Sequence, residues 1–398
     1  MSQSALAGLK IVDVSRVLGG PYCAQILADH GAEVIKVEPP QGDDTREWGP
    51  PFKDGISSYF SGLNRNKRSI AIDFTSEKGR EVLFRLLEGA DVLVENFKTG
   101  TMERWGIGYD VLSKRFPKLI HARVTGFGPD GPFGGFPGYD AVAQALSGMM
   151  SVNGTPQSGP VRVGIPIIDL CAGMNAAAGI LMALYERQRS GKGQFLEVSL
   201  YDTGVSLLHP HAANYFMSGK TPMPTGDSHP NLTPYDQFKT KTRNIFVGAG
   251  NDRQFRILCQ EIGRPDLPED ARFRTNSDRL KNRKELDDIL RAVFLEADAE
   301  PLCKRLLSAG VPAGVVQLMP EVTTHPHTIH REMVVDLDGY RGTGIPVKLA
   351  RTPGKVNRKP PQFAGQAKEI LKEAGYSDTE IQALADSKAI IFERTKLR

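Results

Sequence analysis

Cysteine is scarce in this chain. Cys23, Cys171, Cys259 and Cys303 lie far apart and form no CxxC pair, which argues against a disulfide framework. They read as reduced, mostly packed thiols of a cytoplasm-like compartment. Dense basic tracts are missing too, and the net charge of +4 is small for 398 residues, so nucleic acid is not an expected partner. That charge suits a phosphate-bearing small ligand. The opening MSQSALAGLKIVDVS has neither a charged stretch before a long apolar run nor an Arg-rich amphipathic segment. The longest apolar run, around residues 176–184, is too short to cross a bilayer and ends in Tyr-Glu-Arg, so no membrane is expected. A cytoplasmic protein follows, or one of an organellar matrix if a presequence has been removed. Internal repeats and low-complexity segments are absent. His325, His327 and His330 crowd around Pro326, but no acidic or Cys partner sits at ligand spacing, so they read as a surface loop and no metal is expected.

What is present is an alternation. Hydrophobic residues make up 40% and charged ones 24%, enough apolar surface for a large core in two lobes. Residues 9–14 read as a strand, followed by a helix with Pro21 in its first turn and Gly31 just past its end. Residues 33–38 are the next strand, completing a βαβ unit with a right-handed crossover. The rhythm continues with strands at 69–74, 91–95, 119–124 and 195–200. Helices are expected at 76–87, 139–152 and 169–189. This predicts an α/β fold with an open parallel sheet. Residues 218–234, rich in Pro, Gly and Thr, read as a linker into a smaller α/β domain. The expected division is 1–217, 218–330 and a return to the large domain over 331–398, where helices at 367–374 and 378–386 cover the first lobe.

Four places hold candidate chemistry. The loop Ser15–Pro21 sets Gly19 and Gly20 at the end of the first strand, where backbone amides can approach a ligand, although GxGxxG is absent; a tight turn without ligand is the alternative. Asp169, in GIPIIDLCAG, opens a helix of small and apolar residues. It reads either as an N-cap or as a rigid, ionised nucleophile held by the helix terminus. Gly138-Tyr139-Asp140 and Asn96-Phe97 with Arg104 complete the set; alone, these read as packing, a strand end and a solvated helix residue.

Together the pieces resemble the class III CoA transferases, the family typified by formyl-CoA transferase. The likeness runs from SRVLGGP through GAEVIKVEPP, GDDTREWGPPF, NRNKRSIAIDF, VENFKTGTMERWG, GYDAVAQALSG, GIPIIDLCAG and GKGQFLEVSL to FKTKTRNIFVGAGN, nearly the whole chain. It implies a Rossmann-like large domain built from both chain ends, a small domain from the middle, and an interlocked-ring homodimer. The family's nucleophile falls on Asp169, with Tyr139 and Tyr59 at the reacting end. CoA would lie along Val17, Leu18, Ile72, Asn96, Phe97 and Arg104, and Trp48 matches a position near the substrate end. The CoA thioester is a substrate, and no prosthetic group is implied. Exchange of one thioester for another is nearly isoenergetic and requires only a covalent relay.

Departures bear on the substrate. Formyl-CoA transferase has a glutamine where this chain has Leu18, and its tetraglycine gate has no counterpart. The corresponding segment here is Gly226-Asp227-Ser228-His229-Pro230-Asn231, which makes His229 and Asn231 substrate candidates. The wider spelling resembles succinyl-CoA:glutarate transferases. A dicarboxylate acceptor calls for a cation, and Arg46 and Arg16 are the candidates; both also read as salt-bridge or surface residues. Two other readings compete. An α-methylacyl-CoA racemase would carry histidine at Tyr139, and tyrosine with a pKa of about 10 is a poor base at neutral pH. A non-catalytic CoA-binding protein would be expected to lose Asp169, which is present.

Overall fold

The computed structural model describes residues 4–394 and divides into two compact units. The larger holds the described residues up to Gly148, Val163–Leu207 and the chain from Pro326; the smaller holds Met149–Arg162 and Leu208–His325. Residues 149–162 were expected in the first lobe. They fold as a strand pair, Gly154–Thr155 with Gly159–Pro160, and Gly154 O accepts a hydrogen bond from Gly226 N at 2.7 Å, inside the smaller unit.

The larger unit is organised by six parallel strands: β1 (Lys10–Asp13), β2 (Glu33–Glu38), β3 (Lys67–Ala71), β4 (Val92–Glu95), β5 (Ile120–Thr125) and β6 (Phe195–Ser199). Their order across the sheet is β3-β2-β1-β4-β5-β6. Strands β3, β4 and β5 are buried along their whole length, as a parallel sheet covered on both faces requires. The order reverses between β1 and β4, so a crevice is expected outside their C-terminal ends.

The helices follow from local signals. Helix α1 (Gly19–Asp29) has Pro21 in its first turn, and Gly31, at φ 103°, releases the chain into β2. Helix α2 (Glu77–Leu87) is capped by Ser76, whose hydroxyl accepts from Gly79 N. The helix expected over 139–152 is two: α3 (Asp140–Leu146) and a short turn, Met149–Val152, because Gly148 takes φ 89°. Helix α4 (Ile167–Ser190) is 24 residues, long and apolar enough by length and composition to cross a membrane, which the run at 176–184 understated. Its inner face, with Ile168, Ala172, Ala176 and Ile180, is buried in the larger unit. A Cβ on Gly173 would lie 2.7 Å from Gly19 O, so only glycine lets α4 cross α1 this closely.

The terminal helices Ala367–Glu373 and Asp378–Asp386 place Ile370, Leu371, Ile381 and Leu384 in one core cluster with Val12, Ile70, Leu83 and Leu93. In the smaller unit, antiparallel strands β7 (Tyr235–Lys239), β8 (Asn244–Gly248) and β9 (Ala313–Val315) pack a core of Phe238, Phe255, Leu290 and Phe294. Strand β9 is fixed by its pairing, since residues 313–315 run antiparallel to Ile245–Val247.

Candidate active site

The loop after β1 is held from three sides. Asn96, just past β4, grips the backbone of Arg16 twice: its Oδ1 accepts from Arg16 N at 2.8 Å and its Nδ2 donates to Arg16 O at 2.6 Å. Lys36 Nζ, on β2, donates to Ser15 O at 3.0 Å and to Asp43 Oδ2 at 2.8 Å. The second oxygen of Asp43 accepts from Val17 N at 3.3 Å. Between these anchors Val17 sits at φ 68°, a left-handed conformation that a β-branched residue adopts only under constraint. Burial works against the Lys36 charge, but the carboxylates of Asp43, Asp13 and Glu38 outweigh it and hold the ammonium above its ordinary pKa.

Asp169 stands in the first turn of α4, after Pro166 at the cap position. It does not cap the helix. That role falls to Asp140, whose Oδ2 accepts from Ile168 N at 2.8 Å and from Asp169 N at 3.2 Å, while its Oδ1 accepts from Gln144 Nε2 at 2.6 Å. Gln144 Oε1 in turn accepts from Val163 N at 2.8 Å, tying down the segment that leads into α4. Among the described residues nothing donates a hydrogen bond to the Asp169 carboxylate. Burial, then the nearby charge of Asp140, push its pKa up to about 7. Desolvation thus outweighs the helix terminus, which by itself favours the ionised form.

Both elements meet at a cavity of about 210 Å³ outside the C-terminal ends of β1, β4 and β5. Arg16, Val17, Leu18 and Gly19 line one wall, Asn96, Phe97, Lys98 and Thr99 another, and Gly126, Gly138, Tyr139 and Asp169 a third. A Cβ on Gly126 would lie 2.7 Å from Gly138 N, so the two loops of that last wall touch backbone to backbone. The cavity thus sets a desolvated carboxylate beside a constrained backbone loop at the switch point of a doubly wound sheet, where such folds bind their ligands.

Comparison with known proteins agrees. Residues 6–367 match the family described as CoA-transferase family III. The chain belongs to that family. It is 38% identical to the succinyl-CoA:glutarate CoA-transferase of Mus musculus, over 99% of this chain and 92% of the mouse protein. It is 39% identical to the acetyl-CoA:oxalate CoA-transferase of Acetobacter aceti, over 86% of this chain and 88% of that one. Among solved structures, a CaiB/BaiF family protein from Brucella suis superposes with a TM-score of 0.85 at 38% identity, over 94% of this chain and all of that one. The protein is a class III CoA-transferase.

In this transferase, of the residues expected to contact CoA, Val17, Leu18, Asn96 and Phe97 line the cavity. Ile72 does not: it is 1% exposed, bridges to Ile390 and belongs to the hydrophobic core. Arg104 is exposed and donates to Thr101 Oγ1 at 2.9 Å, outside the cavity lining. Tyr139 is exposed on the cavity wall, in extended conformation just ahead of α3. Tyr59 is not on the wall but is close enough for the Asp169 charge to act on it. Burial and the charges of Asp169, Asp140 and Asp43 push its hydroxyl up to about 12, so it remains a donor. Trp48 meets the Tyr59 ring edge-on with centroids 5.0 Å apart.

The two arginines part company. Arg16 lines the cavity and pairs with Asp44 at 3.3 Å, both half-exposed. Arg46 is 5% exposed, binds Glu38 through Nε at 2.6 Å and Nη2 at 2.7 Å, and stacks on Phe60 at 3.7 Å. Its guanidinium is committed to the fold and does not meet the substrate role expected of it. His229 and Asn231 lie in the smaller unit, where His229 packs on Tyr235 and Asn231 exchanges side-chain hydrogen bonds with Asn214. Three residues escaped the sequence reading: Asp140 as cap, Gln144 as its partner, and Lys36 beneath the loop. Asp140 was visible inside Gly-Tyr-Asp, but its bond to residues 28 and 29 positions downstream left no local signal.

Proposed function

We propose that this transferase moves CoA between carboxylic acids with Asp169 as covalent carrier, using succinyl-CoA or a similar donor and a dicarboxylate acceptor. One observation carries the reading: a carboxylate that receives no hydrogen bond among the described residues lines the cavity at the switch point, and burial raises its pKa to about 7. The Asp169 carboxylate attacks the donor thioester carbonyl, a mixed anhydride forms, and CoA leaves as thiolate. The thiolate attacks the aspartyl carbonyl, releasing the donor acid and leaving an aspartyl-CoA thioester. The acceptor carboxylate then attacks that thioester, and returning thiolate attacks the acceptor carbonyl of the new anhydride, freeing Asp169 and the new acyl-CoA. Each step develops an oxyanion, for which the Tyr59 hydroxyl is a protonated donor.

The dicarboxylate preference rests on the names of the mouse and Acetobacter relatives and on Arg16, which with Lys98 puts positive charge on the cavity wall, whereas Arg46 is committed to Glu38. Self-association in an interlocked dimer is supported by α4, which exposes Met174, Leu181, Met182 and Tyr185 along one helix. The test is to offer succinyl-CoA and treat the enzyme with borohydride or hydroxylamine: acyl-enzyme is expected on Asp169, and full turnover by Asp169→Ala would refute the mechanism. A screen of mono- and dicarboxylic acceptors by mass spectrometry then reads the substrate class; activity confined to short monocarboxylates would leave the carrier role and remove the dicarboxylate.

A further inference from the structure

We infer that the buried pair Lys36–Asp43 is a positioning device that holds the CoA-binding loop in its strained, ligand-ready shape; the inference rests on the reading of the cavity as the CoA site. Neither residue lines the cavity, and both side chains are buried to within 1%. A buried ion pair of this kind is poor evidence of a stabilising role, because desolvation cancels much of its attraction. What it does have is geometry. Lys36 Nζ spans Ser15 O at 3.0 Å and Asp43 Oδ2 at 2.8 Å, and Asp43 Oδ1 reaches Val17 N at 3.3 Å.

The chain thus receives one contact just before and one at the residue with φ 68°. Asp43 is itself fixed: its amide donates to Glu38 Oε2 at 3.0 Å, and the Thr45 amide and hydroxyl donate to its Oδ1 at 3.0 and 2.7 Å. Asn96 restrains Arg16 from the other side but does not touch Val17 in any hydrogen bond. Without Lys36 and Asp43, Val17 would relax toward negative φ, where its Cβ is unstrained. The loop amides would leave the cavity wall, and CoA would have to restore them at the cost of affinity.

If the ligand-ready loop falls to about a tenth of molecules, apparent affinity falls about tenfold. The experiment measures CoA binding by titration calorimetry, together with kcat and KM for succinyl-CoA, in purified full-length enzyme. Lys36→Met should weaken CoA and raise KM by about tenfold or more, with kcat changed far less. Because Lys36→Met leaves Asp43 buried without its partner, Lys36→Met/Asp43→Asn removes both charges together and should show the same loss if the single variant does not fold. Adding Val17→Gly to either background should recover most of the affinity, since glycine adopts φ near 68° without a Cβ penalty.

Arg65→Met, which breaks the buried Arg65–Asp29 pair at the far end of α1, serves as a control for general destabilisation. It should lower the melting temperature without the KM shift. The idea is overturned if the Lys36 variants bind CoA as the parent does, if Val17→Gly restores nothing, or if Arg65→Met produces the same KM shift. If the parent enzyme itself binds no CoA, or binds it without competition from cavity substitutions such as Phe97→Ala, the cavity assignment fails instead.

Discussion

The Asp140 carboxylate accepts the amide of Asp169 at 3.2 Å and, through its own charge, raises the pKa of the very side chain whose backbone it holds. The two effects are separable. Asp140→Asn keeps an oxygen for the Ile168 and Asp169 amides but removes the charge, so the acidic limb of the pH–rate profile should move to lower pH. Asp140→Ala loses the cap as well, at about 1 kcal/mol of stability, and kcat should fall by about tenfold or more as Asp169 drifts. An unmoved acidic limb in Asp140→Asn would show that burial alone sets the Asp169 pKa.

In the mechanism proposed here only the carboxylate form of Asp169 attacks. With its pKa near 7 in the free enzyme, acyl-enzyme formation in single turnover should rise between pH 6 and 8 and level off above. A rate flat down to pH 5 would contradict this.

The same shift has a thermodynamic side. The folded pKa lies above the ordinary aspartate value of 3.8, so the native state binds the proton more tightly and stability falls as pH rises from about 4 through about 7. Asp169→Asn removes that loss. It should be more stable than the parent at pH 8, by at most about 4 kcal/mol, with the advantage gone below about pH 4. Thermal melts of both proteins at pH 4 and pH 8 decide it.

Arg16 and Arg46 should behave as opposites. Arg46→Met leaves Glu38 buried without its bidentate partner and should cost about 3–5 kcal/mol of stability. Arg16→Leu should leave the melting temperature nearly unchanged, because its pair with Asp44 is half-exposed. Its expected effect is on acceptor KM, raised for dicarboxylates and not for monocarboxylates. Equal effects on both acid classes would remove Arg16 from acceptor recognition.

Gly173→Ala tests the crossing that brings Asp169 to the cavity. The new methyl would meet Gly19 O at 2.7 Å, forcing α4 away from α1. A loss of about 1–3 kcal/mol is expected from the overpacking, with kcat reduced as Asp169 moves with its helix. Urea titration alongside initial rates measures both.

The alternation of strand and helix was legible because period-2 runs such as EVIKVE and caps such as Ser76 are local signals, and Glu33–Glu38 and Glu77–Leu87 appear at the residues where those signals place them. The break at Gly148 was not, since a single glycine inside a helical pattern reads equally as a tolerated residue or a stop. Asp169 stood out through its motif, but its protonation did not, because a pKa depends on desolvation and on Asp140, which the chain brings alongside only after folding.

The sequence by itself determined the family, the α/β class and the two-lobed organisation, and it singled out Asp169 as the candidate carrier, since all of these are written in residue order and spacing. Tertiary structure decided which charged side chains serve the fold and which the cavity. Arg16 and Arg46 are indistinguishable as letters; one lines the cavity and the other is held by Glu38, a carboxylate on a neighbouring strand. Solvent access and long-range pairing make that difference, and neither exists until the sheet has formed.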